Sequence, residues 1–341
     1  MLDSIIPQNS ALRQRLRFLS RRGNLAVTRA LRRNFTTPAA QGLAALREML
    51  EATYFPSWFA GAEMEQFLAS PEGHEAFRNH LFYRLEMDRY ELVPWINSVL
   101  PLRGARILEI GCGTGSGTVA LAEQGAQVTA LDVHAEALLV AEKRCEIHGL
   151  SGICFVQANA ERLTSMYRTG QFDLVLFFAV LEHMTLAERD VALRSAWTLL
   201  AEGQYLALGE TPNRLWPYDA HTSRLPFFNW LPDELAFRYS QFSPRLSLRT
   251  RFHDITDESM LRFRREGRGV SFHELDLALG DSYQVISDQT AYLAARNPLK
   301  RLKRFLARDG ARERALNAYC PSRHRALFRQ SLDLLVRKSP A

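Results

Sequence analysis

The sequence predicts an α/β fold, a mostly parallel sheet with helices on both faces. Two observations carry this. Between residues 105 and 210, short apolar runs of strand length alternate with amphipathic stretches of helix length, the pattern of successive strand–helix–strand crossovers. The first of those runs leads straight into "GCGTGSG" (111–117), where the glycines let the backbone turn sharply and come close to another group.

Taken in order, residues 1–100 read as a helical N-terminal extension. Leu12, Leu16 and Leu19 recur at helical spacing between arginines, and "PEGHEAFRNHLFYRLEMDRYELVPWINSVL" (71–100) is a longer helical stretch, interrupted near Pro94. Pro101 and Gly104 then punctuate the chain, and 101–341 reads as the α/β domain. Its strands are expected at "ARILEI", "AQVTALDV", "ICFVQAN", "FDLVLFFAV" and "GQYLALGE", with helices at "TVALAEQ", "AEALLVAEKRCEIHG" and "AERDVALRSAWTLL". Two more strands are assigned to "GVSFHELDLAL" (269–279) and "SLDLLVRKS" (331–339), which makes 280–330 a helical insertion near the C-terminus.

Composition narrows the function classes. With 341 residues, 47% of them hydrophobic, the chain can build a sizeable core. Cys112, Cys145, Cys154 and Cys320 form no C-x-x-C pair, so neither a disulfide framework nor a zinc site is expected, in keeping with a reducing cytoplasm. The N-terminus lacks the basic and apolar regions of a signal peptide. The longest strongly apolar run, "LVLFFAVL" (174–181), is too short to span a bilayer. The expectation is a cytoplasmic protein, soluble or peripheral on the inner face of the membrane. Eight arginines before residue 35 and thirteen Lys/Arg after residue 295 flank a more acidic body. Such ends either pack on the domain or meet an anionic surface. "NPLKRLKRFLARDG" (297–310) has the form of a basic amphipathic helix. No recognised RNA-binding motif accompanies the charge, which disfavours nucleic acid as a partner.

The glycine turn discriminates between ligands. Read as G-x-G-x-x-G from Gly111 or Gly113, it meets Ser116 or Thr118 where a dinucleotide fingerprint needs its third glycine, and no lysine supports a P-loop. It is instead G-x-G-x-G-x-G, preceded by Glu109. This E-x-G-x-G-x-G sequence resembles motif I of the class I S-adenosylmethionine-dependent methyltransferases. The resemblance implies a Rossmann-like, seven-stranded, mostly parallel sheet with the last strand antiparallel, and S-adenosyl-L-methionine as cofactor. It also implies cofactor contacts from Glu109, Gly111, Gly113, Gly115, Asp132 at the second strand end, Asn159 and Ala160 after the third, and Phe178 in the fourth. "FDLVLFFAVLEHM" is similar to motif IV of the ubiquinone-biosynthesis O-methyltransferases and places Glu182 and His183 after the fourth strand. That branch associates the region with a divalent metal through an additional Glu ahead of Leu-Glu-His. The residues here are Phe178, Ala179 and Val180, so no metal is expected.

After the fifth strand, "ETPNRLWPYDAHTSRLPFFNWLP" (210–232) is long, aromatic and proline-rich, a candidate wall for the methyl acceptor. It resembles segments of bacterial methyltransferases associated with surface glycans and lipids. An oxygen acceptor needs a base, so His183 and His221 are the catalytic candidates, with Asp219 to orient His221. The function expected is methylation of an oxygen on a small molecule, glycan or lipid-linked acceptor. The rivals are an RNA or protein methyltransferase, disfavoured for amino groups by the missing N/D-P-P-Y/F signature, and a cofactor-binding interaction protein without catalysis.

Overall fold

A computed structural model describes residues 27–58, 61–299 and 309–340. Seven strands form one sheet in the order β3-β2-β1-β4-β5-β7-β6. They are β1 (Arg106–Ile110), β2 (Gln127–Asp132), β3 (Cys154–Gln157), β4 (Leu174–Phe178), β5 (Tyr205–Gly209), β6 (Tyr283–Asp288) and β7 (Leu334–Lys338). β1 pairs with β2, and β2 with β3, in parallel. β7 is antiparallel to both β5 and β6, as the resemblance implied for the last strand. Four of the five β1 residues are buried, and so are the first four of β4. This is how strands covered on two faces read.

One assignment is corrected. Residues 269–279 do not form a strand: Phe272–Leu279 is a helix, and the sixth strand is Tyr283–Asp288. Ser271 and Glu274 close a capping box at its start, and Phe272, Leu275 and Leu279 are buried while Leu277 is exposed. That is a helical stripe, not a pleat. The insertion between β6 and β7 therefore begins at Gln289.

Close contacts divide the chain into two units. The first holds the described residues up to Asn159, Phe172–Val175 and the helix Gln289–Arg296. In it the helices before β1 are not a separate body. Leu46, Leu50, Phe55, Phe77 and Leu81 pack with Val140 of the helix Ala135–Ile147. Arg89 forms a buried ion pair with Glu123, whose Oε1 also accepts from the Thr36 amide and hydroxyl. From Pro71 to Asn97 the chain stays helical, passing through π-turns at Asn79–Tyr83 and Asp88–Leu92. The expected interruption at Pro94 is absorbed by the second of these. The wider turn accommodates a residue with no N–H to give.

The second unit holds Ala160–Gln171, Leu176–Asp288 and the described residues after 308. Phe228, Phe237, Phe252 and Phe263 form an aromatic core there with Leu225, Leu248 and Met260. Of the basic ends singled out above, residues 1–26 and 300–308 lie outside the described residues. No helix among the described residues is long and apolar enough to cross a membrane.

Candidate functional site

In the first unit, β1 delivers the glycine turn and β2 delivers Asp132. The turn winds back on the sheet, with the Gly111 amide donating to Leu131 O at 2.7 Å and Cys112 to the same carbonyl at 3.0 Å. Gly113 and Gly115 have φ of +53° and +79°, conformations that L side chains rarely adopt. Their surroundings differ. A Cβ on Gly115 would lie 2.8 Å from the Cα and Cβ of Ala141, whereas a Cβ on Gly113 would meet nothing within 4 Å. Gly115 therefore serves helix packing, and Gly113 lines open space, the cradle a cofactor needs. Asp132 closes this side: its Oδ2 accepts from the Gly113 amide at 2.8 Å and its Oδ1 from the His134 amide at 2.9 Å. Asn159, exposed, follows β3.

Glu109, expected as a cofactor contact, sits beneath the turn instead. It is buried, its Oε2 accepts from the Thr118 hydroxyl at 2.6 Å, and Gly117 is glycine because a Cβ there would lie 2.3 Å from Oε1. Burial pushes its carboxyl up to about 8, with the nearby Asp88 and Asp132 adding to the effect. The unfolded chain ionises this group near 4.5, so the folded state holds the proton over the intervening range. The contribution of Glu109 to stability is fully present below pH 4.5 and is lost as pH rises to about 8, on the order of 1.4 kcal/mol for each unit traversed. Glu109→Gln is expected to flatten that fall. Urea unfolding at pH 5 and pH 8 measures it, and an equal slope in both proteins would remove the assignment.

The turn is also held from sides the sequence did not announce. The His80 Nδ1 lies 3.1 Å from the Thr114 hydroxyl. Arg144, fully buried, donates through Nε to Thr114 O at 2.6 Å and through a terminal nitrogen to His80 O at 2.5 Å. Burial draws the Arg144 guanidinium down to about 10, and burial with the neighbouring Arg84 and Arg144 charges holds His80 neutral. Trp58 stands over His134 with ring centres 5.9 Å apart, and Tyr54 packs against both Trp58 and His80. The helical extension thus flanks the glycine turn and the Asp132 strand end.

In the second unit, Ala160 is buried at the start of a short turn, and Phe178 ends β4. The Phe178 ring lies so close over Gly209 that a Cβ there would stand 2.3 Å from it. Directly after, Ala179 (φ +56°) and Glu210 (φ +52°) hold left-handed backbone without being glycine, strain that the surrounding fold must sustain. Leu181–His183 then form a single 3-10 turn. Glu182 is 0% exposed, and its Oε1 lies 3.8 Å from His183 Nε2 and 3.5 Å from His221 Nε2. The two imidazoles expected from the sequence therefore meet, on a carboxylate the sequence left without a role.

The cluster has a rigid seat. His183 Nδ1 is 2.7 Å from Arg265 O. A carbonyl only accepts, so Nδ1 carries the hydrogen and Nε2 points at the carboxylate. Arg189, buried, donates to the carbonyls of Leu181, Met184, Gly269 and Arg268, while the Arg268 amide donates to Glu182 O at 2.8 Å. Asp219, expected to orient the His221 ring, acts on its backbone instead. Its carboxylate accepts from the amides of His221, Thr222 and Ser223 and from the Ser223 hydroxyl. The knot it ties fixes the loop from which the ring projects. Gly267 (φ +125°) packs beneath, where a Cβ would stand 2.6 Å from Thr222 Oγ1 and 3.4 Å from His221 Nδ1. Gly267→Ala is expected to displace the His221 ring and lower turnover about a hundredfold with cofactor affinity unchanged. Wild-type turnover in that variant would show that the ring needs no such seat.

The expectation of no metal counted only adjacent residues. The fold adds His221 to Glu182 and His183, and one ligand atom from each lies within 4.8 Å of the others. Two imidazole nitrogens and a carboxylate oxygen suit a divalent transition metal such as zinc, iron or manganese. In the segment 210–232, Trp216 and Phe228 belong to the core, while Phe227 and Trp230 are half exposed with ring centres 4.9 Å apart.

Comparison with known proteins bears on the class of the β1–β5 region. Residues 107–203 match the model of a methyltransferase domain family. Ubiquinone biosynthesis O-methyltransferase of Xanthomonas oryzae is 34% identical over 122 residues, 35% of this chain and 48% of the relative. The enzyme of the same name from Xylella fastidiosa is 40% identical over 94 residues, 26% of this chain and 36% of the relative. The chain thus spans about half the length or less of these curated relatives. Among solved structures, a Methanosarcina mazei S-adenosylmethionine-dependent methyltransferase is 24% identical, covering 56% of this chain and 85% of that one, with a TM-score of 0.39. Magnesium protoporphyrin IX methyltransferase from Synechocystis with bound S-adenosylmethionine is 20% identical, covering 52% and 80%, with a TM-score of 0.37.

Residues 107–203 are a class I methyltransferase domain, the class whose cofactor is S-adenosylmethionine. Within that class, this part of the chain resembles the ubiquinone-biosynthesis O-methyltransferases.

Proposed function

We propose that this protein transfers a methyl group from S-adenosylmethionine to an oxygen of a small-molecule acceptor. The observation that carries the reading is the Glu182–His183–His221 cluster, whose first two members directly follow β4 and whose third follows β5, in a chain with methyltransferase motifs. The cofactor supplies an electrophilic methyl on its sulfonium; the protein has to position the partners and take the acceptor's proton. Gly113 leaves the cofactor room and Asp132 supplies acceptors for its hydroxyls. The histidines face a buried carboxylate that favours positive charge on or between them. A proton arriving from an acceptor hydroxyl, or a divalent ion that acidifies that hydroxyl, meets this requirement.

The test is a transfer assay with methyl-labelled S-adenosylmethionine and a bacterial extract, separated into organic, water-soluble small-molecule and macromolecular fractions. Label in a small-molecule fraction supports the reading, with the organic phase pointing to a lipid-linked acceptor. Label in RNA or protein alone would replace it, and no label in any fraction would favour a cofactor-binding protein without turnover.

A further inference from the structure

Beside the Leu-Glu-His turn the second unit has a cleft of ≈ 420 Å³, lined by Met184–Ala187, Pro232, Asp233 and four arginines, 189, 214, 264 and 268. Four guanidinium groups around one cleft repel one another, and the acids on hand offset only part of this. Arg189 is neutralised by Glu274 at 3.2 Å. Asp233, the sole acid of the lining, is shared: Arg264 Nε is 2.7 Å from it and Arg268 Nε 3.2 Å. Arg268 spends its terminal nitrogens on the carbonyls of Phe228 and Leu231. Four arginines against two acids leave two positive charges over, and the terminal nitrogens of Arg214 and Arg264, unlike those of Arg268, are not spent on these carbonyls. The field of Arg214 lowers the proton affinity of both Arg189 and Arg268, whose guanidinium falls to about 10 chiefly through burial.

The floor of the cleft adds donors. Thr185 caps the helix Leu186–Leu199 with a capping box that engages the Glu188 amide. The amides of Leu186 and Ala187, in the first turn and in the lining, point out of the helix at its positive end. Two guanidinium groups and a helix start converging on one cleft form a site for an anion with several acceptor oxygens.

We propose that this cleft binds a phosphate group, and that the methyl acceptor carries it. The identification of the ligand as the acceptor rests on the methyltransferase reading; the binding of phosphate does not. A phosphate monoester offers three terminal oxygens and close to two negative charges, matching a two-arginine excess. A carboxylate offers one charge and leaves half of the excess in place. Occupied, the cleft would fix the acceptor's anionic end next to His183, one residue from Met184 of the lining.

The test is calorimetric titration of inorganic phosphate into the full chain without cofactor, with acetate as a parallel probe. Saturable phosphate binding is expected, about tenfold weaker in Arg214→Gln and in Arg264→Gln, with thermal melting confirming that each variant is folded. No saturable binding to the wild type, or equal affinity in both folded variants, overturns the proposal. Acetate binding more tightly than phosphate overturns the assignment to phosphate. Since the titration contains neither cofactor nor turnover, its failure would leave the methyl-transfer reading standing, and a failed transfer assay would leave the phosphate site standing.

Discussion

Glu182→Gln is expected to slow methyl transfer by about a hundredfold or more while leaving S-adenosylmethionine affinity unchanged. The substitution keeps the shape of a fully buried side chain and removes only its charge. That charge is what the two histidines share. His183 holds its hydrogen on Nδ1, against Arg265 O, so in the neutral ring a lone pair on Nε2 faces Glu182 Oε1 at 3.8 Å. His221 Nε2 approaches the same oxygen at 3.5 Å. A lone pair and a carboxylate repel unless a cation stands on or between them, and burial makes the requirement stronger. Either the cluster holds a proton, on an imidazole, as a general base does during transfer, or on the buried carboxyl itself, or a divalent ion holds all three groups. Glutamine weakens both arrangements. Dialysis against a chelator separates them: loss of turnover restored by zinc, iron or manganese identifies the metal, and indifference to chelation identifies the proton. Wild-type turnover in Glu182→Gln would remove the cluster from the mechanism altogether.

Much of this was legible before the fold, and the limits have physical causes. The first five strands fell where alternating apolar runs placed them, because strands buried in a sheet carry a strong local signal. The exception is 269–279, whose apolar content suits a strand but whose apolar period is helical. Ser271-x-x-Glu274 ahead of Phe272, Leu275 and Leu279 is a helix-start signature that stood in the sequence. On the cofactor side, the glycines and Asp132 are local to two strand ends and could be found. His80 and Arg144 reach Thr114 from 34 and 30 residues away, so no spacing rule points to them. Arg144 left one trace: it shares the buried face of its helix with Ala137, Val140 and Ala141. A lone cation on an apolar stripe signals a buried hydrogen-bonding task. In the second unit, the chemistry of His183 and His221 is legible in the sequence, but Glu182 beside His183 reads as too few ligands for a metal, because the third member lies 39 residues along the chain, in a loop tied at Asp219.

Asp132→Ala is expected to weaken S-adenosylmethionine binding by about tenfold at least, as the loss of charge-assisted hydrogen bonds of ~1.5–3 kcal/mol implies. The carboxylate now serves the protein through two bonds, Gly113 N to Oδ2 and His134 N to Oδ1. Each oxygen keeps a second acceptor site, so the pair can receive two ribose hydroxyls while still holding the glycine turn. Alanine removes both functions. Asp132→Asn keeps one acceptor oxygen and is expected to fall between. The glycine turn supplies the control for unfolding. Gly113→Ala adds a methyl where nothing stands within 4 Å, whereas Gly115→Ala drives one into Ala141 at 2.8 Å. Both share the cost of a left-handed backbone, roughly 1–2 kcal/mol. Only Gly115→Ala adds a clash with the protein itself, so it should melt at the lower temperature. Gly113→Ala should keep more of its stability and lose cofactor affinity, since its methyl occupies space open to a ligand. Calorimetric titration of S-adenosylmethionine with parallel melting curves reads all four variants. If Gly113→Ala and Asp132→Ala both bind the cofactor as the wild type does, the space over the turn is not where it sits.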